Sequence, residues 1–426
     1  MRFWLVTIGE PVPVSPNCGD RLHRTGYLAN ILSENGHDVI WWTSTFDHFR
    51  KKHLFKHDTS VMLNSHLRVN LLHGFGYRNN ISMARVLDHR AIARKFATLI
   101  KRQEELPDII IASLPTIELC VESVKYGRDK NVPVVLDMRD MWPDIFVDHA
   151  PKILNRIVKL LLTSMFKSSH RACSDASAIT GITDDFVNWG LSRGNRTKSD
   201  KDKSFPHGYI SAPPGDDNIE KAAEFWDKLG IFSGGNEFVV CFIGTIGRQF
   251  GLDGLIKAVY KLEQYGKVGR VVICGTGDLL EYYKDMAQSC SKILFPGWVN
   301  AAQIHVLLRR SSIGIAPLPN RYDYLATINN KAIEYLSAGL PTISCPDKGV
   351  LSDLLNDNQC GMSYPYGDAD ALAAAIARLY DDRVTLKKMS QNAMRLFQER
   401  FTAEKVYTEM MEHMITIVKK RESLRT

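Results

Sequence analysis

Apolar runs, each followed by a stretch of helical character, recur along this chain in two successive series. The first reads FWLVTI, DVIWWT, DIIIAS and VPVVLD; the second reads EFVVCFIG, RVVICG, KILFPG and SIGIAPL. Strands that are nearly continuously apolar are buried on both faces, which calls for a parallel sheet covered by helices on each side. Helices are expected from about Leu22 to Asn35, in a long stretch ending near Arg102, and from Gly254 to Tyr265. Two α/β units of similar design follow, and with 426 residues and 45% hydrophobic content each can close its own core. The polar tract LSRGNRTKSDKDKSFPHGYISAPPG reads as a loop and a connection. The chain therefore divides into residues 1–205, residues 206–400 and a last helix over 401–426, expected to pack back on the first unit.

In open parallel sheets ligands bind at the carboxyl ends of the strands. Three loops of the second unit leave such ends: Gly244-Thr245-Ile246-Gly247-Arg248, Gly275-Thr276-Gly277-Asp278 and Pro317-Leu318-Pro319. Glycines there let backbone amides approach a diphosphate, and Arg248 can neutralise it, although tight strand-to-helix turns use glycine on their own account. The segment INNKAIEYLSAGLPTISCP adds a helix over Lys331–Ser337, stopped by Gly339 and Pro341, and a strand over Thr342–Cys345. Asn329, Asn330 and Lys331 crowd the helix N-terminus, a natural seat for phosphate. Glu334, one turn on, would repel a diphosphate. It suits either ribose hydroxyls or a surface ion pair with Lys331.

The array GTIGRQFGLDGLIKA, VVICGTGD, ILFPGWV, IAPLP and NNKAIEYLSAGLPTIS resembles the nucleotide-sugar domain of retaining glycosyltransferases of family 4. CGDRLHRTGYLANILSENGHDVIWWTS resembles that family's N-terminal glycine loop, helix and strand. VPVVLDMRDMWPD resembles a bacterial surface-polysaccharide subgroup with an Asp-x-Arg-Asp-x-Trp-Pro motif. The resemblance implies the GT-B fold, two Rossmann-like parallel-sheet domains facing a central cleft. It also implies a nucleoside diphosphate sugar as donor, transfer with retention, and no cofactor or metal. It places Gly244, Thr245, Arg248, Gly275, Gly277, Trp298, Val299, Asn329, Asn330, Lys331 and Glu334 around the donor. The family's two glutamates have seven residues between them, and here Ala326 holds the first position, eight before Glu334. Its first-loop Arg and Lys fall at Thr245 and Phe250, leaving Arg248 and Lys331 as replacements. Arg139-Asp140 stands where a histidine is often found.

At the end of VPVVLDMRD, Asp137, Arg139, Asp140 and Asp144 place acids beside an arginine. Asp140 can orient or deprotonate an acceptor hydroxyl, with Arg139 beside it, or the group can be an Arg-carboxylate network fixing the Trp142-Pro143 turn. Gly19, Arg21 and Arg24, between a strand and a helix, suit an acceptor phosphate or equally a plain turn with solvated arginines. With Asp137 they form the acceptor set. His53 and His57 share a helical spacing, but their basic surroundings disfavour zinc.

The net charge of +7 is uneven: residues 1–210 hold 29 Lys+Arg against 22 Asp+Glu, whereas the remainder is balanced at 25 and 25. KILNRIVKLLLTSMFK, residues 152–167, reads as a basic amphipathic helix with Leu154, Ile157, Val158, Leu161 and Met165 on one face. Such a stripe packs on a core or lies on an anionic membrane, and the basic stretch RNNISMARVLDHRAIARK offers a second such surface. The opening MRFWLVTIGE is too short for a signal peptide and no stretch reaches 18 uncharged apolar residues, so a cytoplasmic protein is expected, at most at the inner membrane face. The eight widely spaced cysteines read as buried thiols. The expected partners are a nucleotide-sugar and a saccharide or polyprenyl-diphosphate-linked acceptor, with no nucleic acid. A noncatalytic GT-B partner subunit and a sugar-nucleotide epimerase are the rival readings.

Overall fold

The computed structural model describes residues 1–14, 22–211, 213–234, 237–247, 249–267 and 269–423. The chain forms two compact units: unit 1 is Met1–Pro206 with Glu404–Thr426, and unit 2 is His207–Ala403.

Unit 1 carries β1 (Arg2–Val6), β2 (Asp38–Ser44), β3 (Phe46–Asp47), β4 (Lys52–His53), β5 (Thr59–Met62), β6 (Leu67–Leu72), β7 (Ile109–Ser113), β8 (Val134–Met138), β9 (Ala178–Gly181) and β10 (Lys203–Ser204). Eight of them form a sheet in the order β10-β9-β8-β7-β1-β2-β6-β5, while β3 and β4 pair separately. Its ladders are parallel except β5 against β6. That hairpin corrects the expected long helical stretch before Arg102. Leu67, Val69 and Leu71 are buried while Arg68 between them is exposed, a period of two that makes strand, and the helix is confined to Met83–Leu99. The C-terminal helix Ala403–Ser423 belongs to this unit, burying Tyr407, Met410 and Met414 and stacking Tyr407 on Tyr27.

The expected single helix over 152–167 is also corrected. A 3-10 turn at Lys152–Leu154 leads into helix Asn155–Leu161, and a second helix, Thr163–Asp175, starts afresh. Thr163 Oγ1 donates to the carbonyls of Lys159 and Leu160, the kind of local side-chain bond that competes with a continuous helix.

Unit 2 carries β11 (Val239–Ile243), β12 (Arg270–Cys274), β13 (Ile293–Gly297), β14 (Ile313–Pro317), β15 (Thr342–Cys345) and β16 (Gly361–Ser363), all parallel in the order β13-β12-β11-β14-β15-β16. One face is filled by Phe238, Phe242, Leu255, Val259, Ile273 and Ile376, the other by Trp226, Cys241, Val272, Leu307 and Tyr335. The direction of strand succession reverses between β11 and β14, which opens a crevice at their carboxyl ends. The helix beside it runs Asn330–Ser337, capped by Asn329, whose side chain accepts from the Ala332 N–H at 2.7 Å.

The seven described cysteines are buried free thiols; Cys18 lies outside the described residues. No helix among the described residues is long and apolar enough to cross a membrane.

Candidate functional site

At the unit 2 switch point the loops after β11 and β12 are bonded to each other. Ile246 N–H donates to Thr276 O at 2.9 Å, and Gly275 N–H donates to Gly297 O, at the end of β13, at 2.8 Å. A Cβ on Gly275 would stand 1.9 Å from the Gly244 carbonyl oxygen, so glycine is what allows these backbones to meet. Thr245 and Gly277 are exposed at the surface of this crevice, and Gly244 is half-buried.

Lys331 reaches back beneath Gly244, where an added Cβ would come 2.8 Å from Nζ. The Lys331 Nζ lies 3.6 Å from the centre of the Phe242 ring and 3.9 Å from that of Phe250. It is buried with no hydrogen-bond partner among the described residues. Burial pushes its pKa well below the usual lysine value, against the attraction of the Glu334 carboxylate. Asn329 Nδ2 is a second buried donor without a partner among the described residues. Native interiors satisfy nearly all such groups, so two orphan donors at one helix N-terminus point to an anion that belongs there. Asn330, beside them, is exposed.

Glu334 accepts a 2.9 Å hydrogen bond from Tyr209 Oη and stands half-buried one turn down the helix. Tyr335 fixes this helix to the sheet: its hydroxyl accepts from Ile243 N–H at 3.1 Å and donates to Ile315 O, and its ring packs where Gly314 has no side chain. Trp298 is 71% exposed just past β13. Val299 is a correction, because its side chain is buried in the core with Ile243 and Cys274 and offers a donor no side-chain contact. Ala326 is fully buried, with no room for a carboxylate reaching solvent. Arg248 lies outside the described residues, as do Gly19 and Arg21.

In unit 1 the structure corrects the acceptor roles given to Arg24 and Asp137. Asp137 has no accessible surface. Arg24 grips it with Nε at 2.8 Å and Nη2 at 3.0 Å, and donates from Nη1 to the carbonyls of Phe205 and Pro206. Arg139 donates to Asp137 from Nε at 2.6 Å and reaches Glu10 and Thr25 with Nη1. Two guanidinium and two carboxylate groups balance here, tying β8, helix Arg24–Glu34 and the end of unit 1 together. Burial would raise the Asp137 pKa, but the Arg24 and Arg139 charges override it and hold the carboxyl far below the ordinary carboxylate range. The charge of Arg139 is spent in the same network, so its catalytic role is not supported by this geometry. Asp144 is engaged by Trp189 Nε1 and Arg193. Asp140, half-buried after β8, accepts from Met141 N–H and lies close enough to Arg85 to stabilise its charge. Asp137, Arg139 and Asp144 are thus each engaged by side chains of other elements.

Sequence reasoning missed Tyr209, Phe242 and Arg85. Phe250, which stands where a lysine is usual, is a wall of the Lys331 pocket. Among the described residues no three His, Cys, Asp or Glu side chains are grouped to hold a metal.

Two α/β units with parallel sheets, the second with glycine-lined loops at its switch point, are the architecture of the GT-B fold. Residues 229–396, most of unit 2, match the family model described as "Glycosyl transferases group 1". The chain is 26% identical over 180 residues to O-antigen chain mannosyltransferase C of Escherichia coli, covering 40% of this chain and 46% of that protein. It thus spans less than half the length of the curated relatives it matches. Among solved structures it resembles sucrose-phosphate synthase of Thermosynechococcus elongatus, with a TM-score of 0.73 at 15% identity over 100% of both chains. Anabaena HepE in complex with UDP-glucose gives a TM-score of 0.63 at 16% identity, covering 98% of this chain and 100% of that one.

Proposed function

We propose that this chain is a glycosyltransferase that moves a sugar from a nucleoside diphosphate sugar to a saccharide acceptor, lipid-linked, in surface polysaccharide biosynthesis. The observation that carries the reading is the pair of buried donors without partners among the described residues, Lys331 Nζ and Asn329 Nδ2, at the head of a helix on the switch point of the unit matched by the group 1 model. The mannosyltransferase similarity and the UDP-glucose bound to a protein of like fold agree with it.

In this reading the diphosphate rests on the N–H groups of the helix Asn330–Ser337, with Lys331 and Arg248 meeting its charge and no metal assigned to it. Glu334, held by Tyr209, takes the ribose hydroxyls. The bond from the anomeric carbon to the diphosphate oxygen breaks and a bond to the acceptor oxygen forms on the same face, retaining configuration. The proton of the acceptor hydroxyl passes to the departing phosphate oxygen, and Asp140 orients that hydroxyl. Charge developing on the leaving group falls against donors fixed beforehand, the preorganised arrangement that contributes most to many enzymatic rates.

The test is incubation with a panel of radiolabelled nucleoside diphosphate sugars and an extract of polyprenyl-linked saccharides, following label into the lipid phase. Incorporation from one donor supports the reading. Binding of a nucleotide with no transfer from any donor would favour the noncatalytic subunit, and interconversion of free sugar nucleotides the epimerase.

A further inference from the structure

The segment that follows Asp140 ends in an apolar surface that the fold does not use. Ile153 is 87% exposed, Ile157 55%, Leu160 75% and Leu161 77%, with Leu154 beside them at 42%. The helix Asn155–Leu161 buries no residue at all. Its base is nevertheless well seated, because Leu162, Ile145 and Phe146 pack on the buried cluster of Ile117, Trp142 and Met165. The outward side chains are therefore not one half of an unfinished core. Single exposed aliphatics are ordinary, but five within nine residues form a patch that needs a partner.

Charge tells which partner. Lys152, Arg156 and Lys159 are exposed among these aliphatics, Lys167 and Arg171 follow, and no Asp or Glu occurs anywhere from residue 149 to residue 174. A protein partner of ordinary composition does not select for that, whereas an anionic lipid surface does. Topology tells which edge is involved. Helix Thr163–Asp175 leads into the start of β9, which runs parallel to β8, so it must travel back along the sheet from the carboxyl end. Its beginning, and the patch before it, therefore sit at the same edge of the sheet as Asp140, which follows the end of β8.

We propose that the carboxyl edge of the unit 1 sheet docks on an anionic bilayer, with Ile153, Ile157, Leu160 and Leu161 entering the acyl boundary and Lys152, Arg156 and Lys159 on the headgroups. This surface stands independently of the transfer chemistry. Joined to that reading, it makes the acceptor one presented from the membrane, because docking brings Asp140's edge of unit 1 to the bilayer.

The experiment is co-sedimentation with vesicles of phosphatidylcholine containing roughly a third phosphatidylglycerol, against phosphatidylcholine alone. The protein should pellet with the first and much less with the second. Replacing Lys152, Arg156 and Lys159 by Gln should lower binding on the order of a hundredfold at low salt, from about fivefold per charge. Leu160→Ser with Leu161→Ser should release it at any salt concentration. Both variants alter exposed side chains, so unchanged thermal unfolding and unchanged stabilisation by nucleoside diphosphates separate loss of docking from loss of fold or donor site. A parent protein that ignores anionic vesicles, serine variants that bind as the parent does, or self-association through this patch without vesicle binding would each overturn the proposal.

Discussion

Replacing Lys331 with Met should make the ligand-free protein more stable. The apolar stem stays between Phe242 and Phe250, one atom shorter, while the Nζ over the two rings, a buried amine with no hydrogen-bond partner among the described residues, is gone. Leaving a charged donor unsatisfied costs about 3 kcal/mol or more, of which two ring faces return about 2 kcal/mol. The difference predicts a gain of about 1–2 kcal/mol and a Tm higher by about 2–8 °C. pH supplies a second signature. A lysine whose folded pKa lies below its unfolded value binds fewer protons in the native state, so its penalty is greatest below the folded pKa and fades as pH rises toward about 10.4. Urea unfolding of both proteins from neutral pH to about pH 9.5 should show the advantage of Met shrinking along that series. A variant less stable than the parent by about 1 kcal/mol or more would refute the reasoning, because the amine would then be a net structural contact rather than a group held ready for an anion.

Three further outcomes follow from the same geometry. Glu334→Gln should weaken nucleoside diphosphate binding by about 1–3 kcal/mol and Tyr209→Phe by about 1 kcal/mol, read by calorimetric titration, since the tyrosine hydroxyl donates to that carboxylate. Asp140→Asn should lower kcat by at least about tenfold and leave nucleotide affinity unchanged in a transfer assay, the loss expected when the acceptor hydroxyl is no longer held in line. Asp137→Asn should destabilise the protein by about 3–5 kcal/mol because Arg24 and Arg139 lose their buried counter-ion. The folded pKa of Asp137 is depressed, so its contribution is complete above the unfolded value of about 4 and is lost as pH falls toward the folded one. Acid unfolding of the parent should accordingly be steep below about pH 4, and shallower in the variant.

The sheet strands, the parallel architecture and the helix over 330–337 are legible in the sequence because they rest on local signals: continuous apolar runs, Gly339 past a helix end and Pro341 after it. The β5–β6 hairpin was not legible because its alternating pattern is short and sits beside a real helix. The break at Leu162 was hidden because a basic amphipathic period continues across it. The site divides in the same way. Glycine loops and a polar helix start give the expectation of an anion site, but nothing local says that Lys331 folds back between two phenylalanines, or that Phe250 is one wall of that space. Arg24 and Asp137 are 113 residues apart, and their pairing is a tertiary fact that turned candidate acceptor ligands into a structural network.

The most direct test of the account is calorimetric titration of UDP, GDP, ADP, CDP and dTDP into the parent and into Lys331→Met. One of these nucleotides should bind the parent at one site and lose on the order of a hundredfold in affinity in the variant, the cost of removing one partner of a buried charge pair. Equal affinity in both proteins would contradict the claim that this helix end holds the donor.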